Sequence, residues 1–260
     1  PASIRQKVPM RQVRKTLPTD RHTRKMLILE GCIQRTATPN TNDAARRVLN
    51  KLGITLIGAP QAGCCGAVNY HLAAHADGLD NMRRNIDAWW PHIQSGAEAI
   101  VSSASGCGAM LIDYGRLLAD DKNYAEKAQR VSQLTRDLGE VLLDEDLDKL
   151  QLNTSIGKVA VHTPCTMQHA LQRPDLPTAI LHRAGFQLAV LREKLLCCGS
   201  AGTYSILQST ISDRLREKTL QTLTDDNPAL IATANIGCQL HLQSQAGVPV
   251  VHWIELLDAP

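Results

Sequence analysis

The chain has 260 residues, of which 43% are hydrophobic and 20% are charged, and its formal net charge is +3. This length and apolar content suffice for one large domain or two smaller ones, and they exclude a wholly disordered chain. No apolar run approaches the ~18 residues of a membrane helix, and the first residues lack the apolar centre of a secretory signal.

The N-terminal segment, residues 1–25, is strongly basic, with eight Lys or Arg residues and a single acid, Asp20. A run of like charges usually faces water, so we interpret the segment as a basic linker or arm. Docking to an acidic partner or to an anionic membrane surface is the alternative. Aromatic residues make up only 3% of the chain, and no recognition motif accompanies the arm, so we expect no nucleic acid partner.

The first half of the chain alternates short apolar runs with helical patterns. We predict a buried strand at 26–29, a helix at 41–52 that Gly53 ends, a strand at 54–57, a long helical stretch at 66–95 and a strand at 99–103.

The same order returns in the second half. We predict a strand at 159–161, a helix at 176–184 that Gly185 ends, a strand at 186–191, a helical stretch at 200–224 and a strand at 230–234. A late strand at 248–251 contains Pro249, which suits the edge of a sheet.

Alternating strands and helices predict an α/β fold of two duplicated Rossmann-like units, each a small parallel sheet flanked by helices. We place the arm at residues 1–25, the first unit at 26–145 and the second at 158–260. The polar segment 144–158 contains no cysteine and is the candidate junction.

Eight cysteines lie on a repeated register: Cys32, Cys64, Cys65, Cys107, Cys165, Cys197, Cys198 and Cys238. The fifth, sixth and seventh follow the first, second and third by 133 residues each, and the eighth follows the fourth by 131. Each half therefore contains a lone cysteine, a Cys-Cys-Gly motif and a last cysteine. A fixed period of this length indicates a duplicated domain-sized unit.

The pattern favours metal binding over disulfides or core packing, because it repeats and no secretory signal accompanies it. The lone and last cysteines fall just past predicted strands, where ligands gather in parallel sheets, so four thiols per unit are expected to converge. Four thiolates can hold an iron–sulfur cluster or a tetrahedral zinc ion. Adjacent cysteines are unusual for zinc, which favours iron, and zinc stays open for one or both units.

Two glycines directly after the cysteine pairs, Gly66 and Gly199, are the predicted cofactor-contact residues. Glycine lets the backbone come close to a bulky ligand, and free N–H groups of a first helical turn can donate to sulfur.

Three residues past each last cysteine stand Met110 and His241. We interpret Met110 as packing, whereas His241 is either a metal ligand or a hydrogen-bonding histidine. His162, His169 and His252 are interpreted as structural, although a histidine close to a cluster can carry protons. Tyr70, His71 and Tyr204 lie just past the pairs and are candidates to line the same pockets. The sequence contains no GxGxxG, P-loop, HExxH or GxSxG motif, so no residue is predicted to be catalytic.

The tandem pattern resembles the cysteine-rich CCG domain, which occurs twice in one subunit of heterodisulfide reductase and in iron–sulfur subunits of flavin dehydrogenases. The more specific resemblance is to the iron–sulfur subunits of glycolate oxidase (glycolate dehydrogenase). The segments that carry it are LEGC (29–32), AGCCGAVNYH (62–71), NIDAWWP (85–91), ASGCGA (104–109), LCCGSAGTY (196–204), TANIGC (233–238) and HWIE (252–255). Members of this family also carry a ferredoxin-type domain ahead of the repeats, which this sequence lacks.

The resemblance implies an electron-transfer subunit with a 4Fe-4S type cluster. Flavin-containing subunits would oxidise glycolate, and this chain would pass the electrons toward a quinone or a similar acceptor. By the same resemblance the complex is cytoplasmic and peripheral to the inner membrane. The fullest family pattern ends in CxxC and ties five thiolates to a non-cubane cluster. Here Met110 and His241 take the fifth positions, so cubane and non-cubane clusters both stay open. The alternatives are a heterodisulfide-reductase-like catalytic module and a zinc-stabilised docking scaffold.

Overall fold

The computed structural model describes residues 12–193 and 197–258. The strands of the first unit are β1 (Arg24–Leu29), β2 (Ile54–Gly58), β3 (Ile100–Ser102) and β4 (Thr135–Asp137). Its helices are α1 (Gln34–Ala37), α2 (Pro39–Lys51), α3 (Ala67–His71), α4 (His75–Gln94), α5 (Ser105–Ile112), α6 (Tyr114–Leu117), α7 (Ala125–Leu134) and α8 (Leu138–Leu143). A short 3-10 helix, Leu147–Lys149, leads into the second unit.

The second unit repeats this order with fewer elements. Its strands are β5 (Val159–His162), β6 (Leu230–Thr233) and β7 (Val250–His252). Its helices are α9 (Cys165–His169), α10 (Leu176–Arg183), α11 (Tyr204–Leu207), α12 (Ser209–Thr224) and α13 (Ile236–Gln243), and a 3-10 helix, Trp253–Leu257, follows β7.

Every pairing between these strands is parallel, and the second sheet repeats the order of three of the four strands of the first. The first sheet has the order β2-β1-β3-β4 and the second β5-β6-β7. Leu27 pairs with Ile100 in the first sheet, and their counterparts Ala160 and Ile231 pair in the second. The predicted α/β fold with two duplicated parallel units is therefore confirmed, and the late strand lies at a sheet edge.

The predicted strand at 186–191 is wrong, because only Leu188 pairs with β5, through an isolated parallel bridge to Val159. Two backbone hydrogen bonds flank this bridge. Beyond it, the N–H of Val190 donates to the carboxylate of Asp226 at 3.0 Å and not to a neighbouring strand. The chain has already left the sheet at that point.

Both long helical stretches predicted after the cysteine pairs are interrupted. The first breaks between α3 and α4, where Ala73 adopts a φ of +65°. The second begins only at Tyr204, after the positive φ angles of Ala201 and Gly202, and breaks again at Gln208. Strand β4 was not predicted, because a three-residue strand of mostly polar residues carries no apolar period.

The two sheets share one apolar core. Met26 and Ile28 of β1 lie in the same buried cluster as Val159 and Val161 of β5. Because side chains alternate along a strand, the residues between them face the other way. Leu27 and Leu29 belong to a second cluster with Cys65, and Ala160 belongs to a third with Cys198 and Cys238. The cysteine pairs therefore lie on the outer faces of the two sheets.

Reciprocal contacts join the units around this core. Helix α2 of the first unit packs on the 3-10 helix after β7, and α10 of the second unit packs on α8. Arg47 forms an ion pair with Asp258 at 2.7 Å, and the hydroxyl of Thr41 donates to Glu255 at 2.6 Å. Each unit thus supplies the same elements to the other.

The described part of the basic arm contacts both units, whereas residues 1–11 fall outside the described residues. The guanidinium of Arg14 donates to both carboxylate oxygens of Asp43 at 2.7 Å, and Lys15 lies 3.6 Å from Asp258. Across residues 12–193 and 197–258, no helix has both the length and the apolar character needed to span a membrane.

Candidate metal centres

The four cysteines of the first unit meet at the carboxyl end of its sheet. Cys32 lies in the turn after β1, Cys107 in the first turn of α5, and the pair Cys64 and Cys65 between β2 and α3. The thiol of Cys64 interacts with those of Cys32 and Cys65, and the thiol of Cys65 also interacts with that of Cys107. Cys32 is exposed and Cys65 buried, so this set opens to solvent on the Cys32 side.

The glycine after each pair is required by the backbone. Gly66 has a φ of +90° and Gly199 a φ of +87°. A Cβ on Gly66 would lie 2.7 Å from the backbone oxygen of Gly78 in α4, and one on Gly199 would lie 2.4 Å from that of Ser212 in α12. Any side chain would therefore meet both left-handed strain and a backbone clash.

The N–H groups of the same two glycines point at sulfur. Gly66 N lies 3.5 Å from Cys64 Sγ, and Gly199 N lies 3.4 Å from Cys197 Sγ. These donors stabilise negative charge on the first cysteine of each pair. The sequence-based reason for these glycines was close approach to a ligand; the structure adds close approach to the following long helix.

Two buried side chains, which the cysteine pattern does not reveal, hold the first pair in place. Asn85 of α4 accepts a hydrogen bond from Gly63 N at 2.8 Å and donates to Cys64 O at 2.9 Å. It also donates to the hydroxyl of Tyr114 at 3.0 Å, which in turn donates to Cys65 O at 2.8 Å. This network fixes the backbone carbonyls of both adjacent cysteines.

The four cysteines of the second unit also converge and are more enclosed. The sulfur of Cys198 lies 3.0 Å from that of Cys238, and the thiol of Cys197 interacts with those of Cys165 and Cys198. Cys198 and Cys238 are buried, while Cys165 and Cys197 are half-buried. The thiols of each unit thus interact from one cysteine to the next, while His162, Cys198 and Cys238 are the only three potential ligands among the described residues that lie within 4.8 Å of one another.

Interactions between the thiols of each set give its cysteines different pKa values. Hydrogen bonds from the Cys32 and Cys65 thiols hold the pKa of Cys64 well below its usual range, aided by the charge of Arg84. Hydrogen bonds from the Cys165 and Cys198 thiols do the same for the pKa of Cys197. One thiolate per set is therefore available at neutral pH, and this is the form that binds metal.

His162, interpreted above as structural, lies against the second set. One of its ring nitrogens and the sulfurs of Cys198 and Cys238 all lie within 4.8 Å of one another. Its Nδ1 is 2.9 Å from the hydroxyl of Thr233. Burial lowers the pKa of His162 to about 4, so its imidazole is neutral near pH 7.

The two residues three positions after the last cysteines differ in their surroundings. Met110 is buried in the outer core of the first unit, which agrees with a packing role. His241 is buried as well, and its Nε2 lies 3.0 Å from the hydroxyl of Ser212.

The remaining aromatic and histidine candidates fall into different environments. His169 and His71 are exposed, and Tyr204 is half-buried. Tyr70 stacks on His75 with ring centroids 4.7 Å apart. His252 is buried, and its Nε2 donates to the backbone oxygen of Ser103 in the first unit at 2.7 Å.

The loops before the two last cysteines are hydrogen-bonded to each other. Ser105 N donates to Ala234 O at 3.0 Å, and Gly106 N donates to Asn235 Oδ1 at 3.3 Å. The side-chain nitrogen of Asn235 lies 3.5 Å from Cys238 Sγ. A short polar connection therefore runs between the two cysteine sets.

The family model for the cysteine-rich domain (CCG) matches residues 26–112 and 159–243. The chain belongs to the cysteine-rich CCG domain family. Each CCG match covers one complete cysteine set and ends before the last strand of its sheet, β4 in the first unit and β7 in the second. The match thus follows the duplication seen in the two parallel sheets.

Relatives among characterised proteins match the chain across both of its CCG domains. The chain is 48% identical over 259 residues to the glycolate oxidase iron-sulfur subunit of Escherichia coli (strain K12), covering 99% of this chain and 63% of that protein. It is 27% identical over 222 residues to the probable glycolate oxidase iron-sulfur subunit of Bacillus subtilis (strain 168), covering 85% of this chain and 49% of that protein. It is also 27% identical over 245 residues to lactate utilization protein A of Bacillus licheniformis, covering 90% of this chain and 99% of that protein. The chain thus spans about half to two thirds of the two glycolate oxidase subunits.

Proposed function

We propose that this chain is the electron-transfer part of an iron–sulfur subunit of a glycolate oxidase (glycolate dehydrogenase) complex. It relays electrons from flavin-containing subunits toward a quinone or a similar acceptor. The observation that carries the proposal is that the thiols of each unit interact with one another at the carboxyl end of a parallel sheet. The 48% identity to the glycolate oxidase iron-sulfur subunit of Escherichia coli supports the choice of complex.

The donor sets fit an iron–sulfur group. All eight cysteines are the proposed ligands, with Gly66 and Gly199 beside the bound group. When bound, such a group supplies reversible one-electron chemistry. The thiolates hold it, the glycine N–H groups stabilise its more negative reduced state, and the outer apolar clusters limit water around the buried sulfurs.

The metal need not be the same in both units. We propose a 4Fe-4S type cluster in at least one set, since four thiols per set are available. A single zinc ion is the alternative, most plainly in the second set, where two sulfurs lie only 3.0 Å apart. We further propose the limits 1–25 for the arm and 26–145 and 158–260 for the two CCG units.

Three exposed apolar side chains that follow cysteines of the first set along the chain suit contact with a partner subunit. Ile33, next to Cys32, is 54% exposed, and Val68 and Leu72 at α3 are 43% and 53% exposed. Apolar surface of this kind commonly marks a contact with another protein. We propose that a flavin subunit docks there, and that the complex is cytoplasmic at the membrane surface.

The test is metal analysis of the full chain purified without oxygen, together with absorption and paramagnetic resonance spectra before and after reduction. We expect bound iron with labile sulfide, a brown colour and a paramagnetic signal on reduction. A colourless chain that contains only zinc would reject electron transfer and favour the docking scaffold.

One cysteine-to-serine substitution in each set shows which metal group that set binds. Cys64→Ser should remove the metal of the first set and leave the second loaded, and Cys197→Ser should do the reverse. Loss of both groups in either variant would contradict two independent centres.

The exposure of Cys32 favours one second candidate, a catalytic module of the heterodisulfide-reductase kind. An open cluster edge could react with a disulfide directly. Turnover of a disulfide substrate by the dye-reduced chain, abolished by Cys32→Ser, would establish it. Absence of turnover in a chain with full iron content would exclude it.

A further inference from the structure

The buried imidazole of His162 lies beside the second cysteine set and has one ring nitrogen without a described partner. His162 is 1% exposed, and its Nε2 has no hydrogen-bond partner among the residues that the structure describes. A buried polar atom of this kind normally has a partner, and its absence calls for a ligand or an ion. His162 lies within ligand distance of Cys198 and Cys238, and its imidazole also interacts with the charge of Cys197.

The strand pattern explains why this histidine faces the sulfurs. Val159 and Val161 of β5 point into the shared core, so Ala160 and His162 point to the outer face. Ala160 lies there in the same cluster as Cys198 and Cys238. His162 is the last residue of β5 and so stands at the carboxyl end, where the cysteines gather.

The other ring nitrogen is held by a buried hydroxyl. Nδ1 lies 2.9 Å from Thr233 Oγ1, and Thr233 is fully buried at the end of the neighbouring strand β6. Histidines that bind metal usually engage their second ring nitrogen in this way, which fixes the ring orientation and leaves the free nitrogen as an electron-pair donor.

The first unit has no equivalent donor at this strand position. The duplicated register places Leu29 at the position of His162, because β1 and β5 are offset by 133 residues. Leu29 packs in the outer cluster with Cys65. The two cysteine sets therefore differ at this one strand position, apolar in the first unit and imidazole in the second.

We propose that His162 is a ligand of the metal group in the second CCG unit, binding through Nε2. The second centre is then a mixed thiolate and imidazole site with a fifth donor, whereas the first has sulfur donors only. This inference rests on the proposed function only in requiring that the second set binds metal.

The experiment uses the full chain purified anaerobically, with metal content measured first and X-ray absorption recorded at the edge of each metal found. Wild type should show a light scatterer near ~2.0–2.1 Å beside sulfur near ~2.3 Å. His162→Leu, which copies Leu29, should lose the light scatterer and release metal to a chelator at least about tenfold faster. His241→Met, which copies Met110, is the matched control and should keep both properties.

Sulfur-only scattering in wild type would overturn the assignment without any substitution, so the test does not depend on the folding of a variant. Retention of the light scatterer in His162→Leu would overturn it as well. His162→Cys adds a second check: it should keep the metal and give sulfur-only scattering. A chain with no metal would reject the proposed function and this assignment together, whereas metal held by sulfur alone would reject only this assignment.

Discussion

The side chain of Asn235 accepts a hydrogen bond from Gly106 N at 3.3 Å and so joins the loop before Cys238 to the loop before Cys107. Its nitrogen also lies 3.5 Å from Cys238 Sγ. One asparagine thus contacts the surroundings of both cysteine sets. A donor toward sulfur stabilises the reduced, more negative state of a bound cluster.

Asn235→Ala removes this donor and should lower the reduction potential of the second centre. A net hydrogen bond of about 1 kcal/mol corresponds to roughly 40 mV for one electron. Redox titration followed by paramagnetic resonance measures the shift. Asn153→Ala, at an exposed position in the inter-unit segment, should leave the potentials unchanged. Equal potentials in wild type and Asn235→Ala would show that the contact does not act on the centre.

The glycine after the first pair can be tested against a glycine of nearly the same φ. Gly96 has a φ of +91° with nothing within 4 Å of an added Cβ, so Gly96→Ala costs only left-handed strain, about 1–2 kcal/mol. Gly66→Ala adds a clash with Gly78 O, which costs about 1–3 kcal/mol more. Urea unfolding and metal content measure both variants, and only Gly66→Ala should lower metal in the first set. Equal losses of stability would show that the contact with α4 relaxes freely.

Asn85→Ala should weaken the first centre and spare the second. The substitution leaves the N–H of Gly63 without its partner, at a cost of about 1–3 kcal/mol, and removes one of the two side-chain donors to Cys64 O, the other being Arg84. Metal release from the first set should be faster, as measured by competition with a chelator. Asn123→Ala, in an exposed turn, serves as the control. Faster release from the second set instead would assign Asn85 a general structural role.

His252 should make stability depend on pH. Burial lowers its pKa to about 3 from an ordinary value of 6.5, so the folded state keeps it neutral while the unfolded chain takes up a proton. The contribution of neutral His252 to the free energy of unfolding is therefore present above pH 6.5. It is lost as the pH falls from 6.5 toward 3. Between about pH 6.5 and about pH 5 the loss is about 2 kcal/mol.

The measurement is urea unfolding of wild type and His252→Gln across this range. Glutamine can still donate to Ser103 O but does not titrate, so the stability gap between the two chains should narrow as the solution becomes more acidic. Other buried histidines titrate equally in both chains and cancel in the difference. A gap that stays constant with pH would show that His252 is not held neutral by the fold.

Most of the fold follows from periodicity and from the repeated cysteines. Strands β1, β3 and β5 are largely apolar and bounded by turns, so their sequence alone reveals them. The sequence of strand β4 does not reveal it, because Thr135, Arg136 and Asp137 form a strand only by pairing with β3. Tertiary pairing decides such short elements, and local pattern does not record it.

The sequence analysis did not identify the polar residues next to the cysteines, and the reason is related. Asn85 lies on a helix face whose neighbours Ile86 and Trp89 are fully buried, and a polar residue on such a face is a usable signal. His162 offers a similar one, because it ends an otherwise apolar strand at the place where the first repeat has Leu29. Spacing located the sulfurs, but only the packed structure shows which polar neighbours reach them.

The shared apolar core has a consequence for the history of the chain. Helix α2 meets the 3-10 helix after β7 just as α10 meets α8, so each half offers its twin the surface that it receives. A gene for a single half would already encode a self-complementary face and would yield a symmetric homodimer with two equal centres. Fusion of two such genes allows one copy to change without the other. Leu29 at the end of β1 and His162 at the end of β5 are such a difference, which two identical chains of a homodimer could not have.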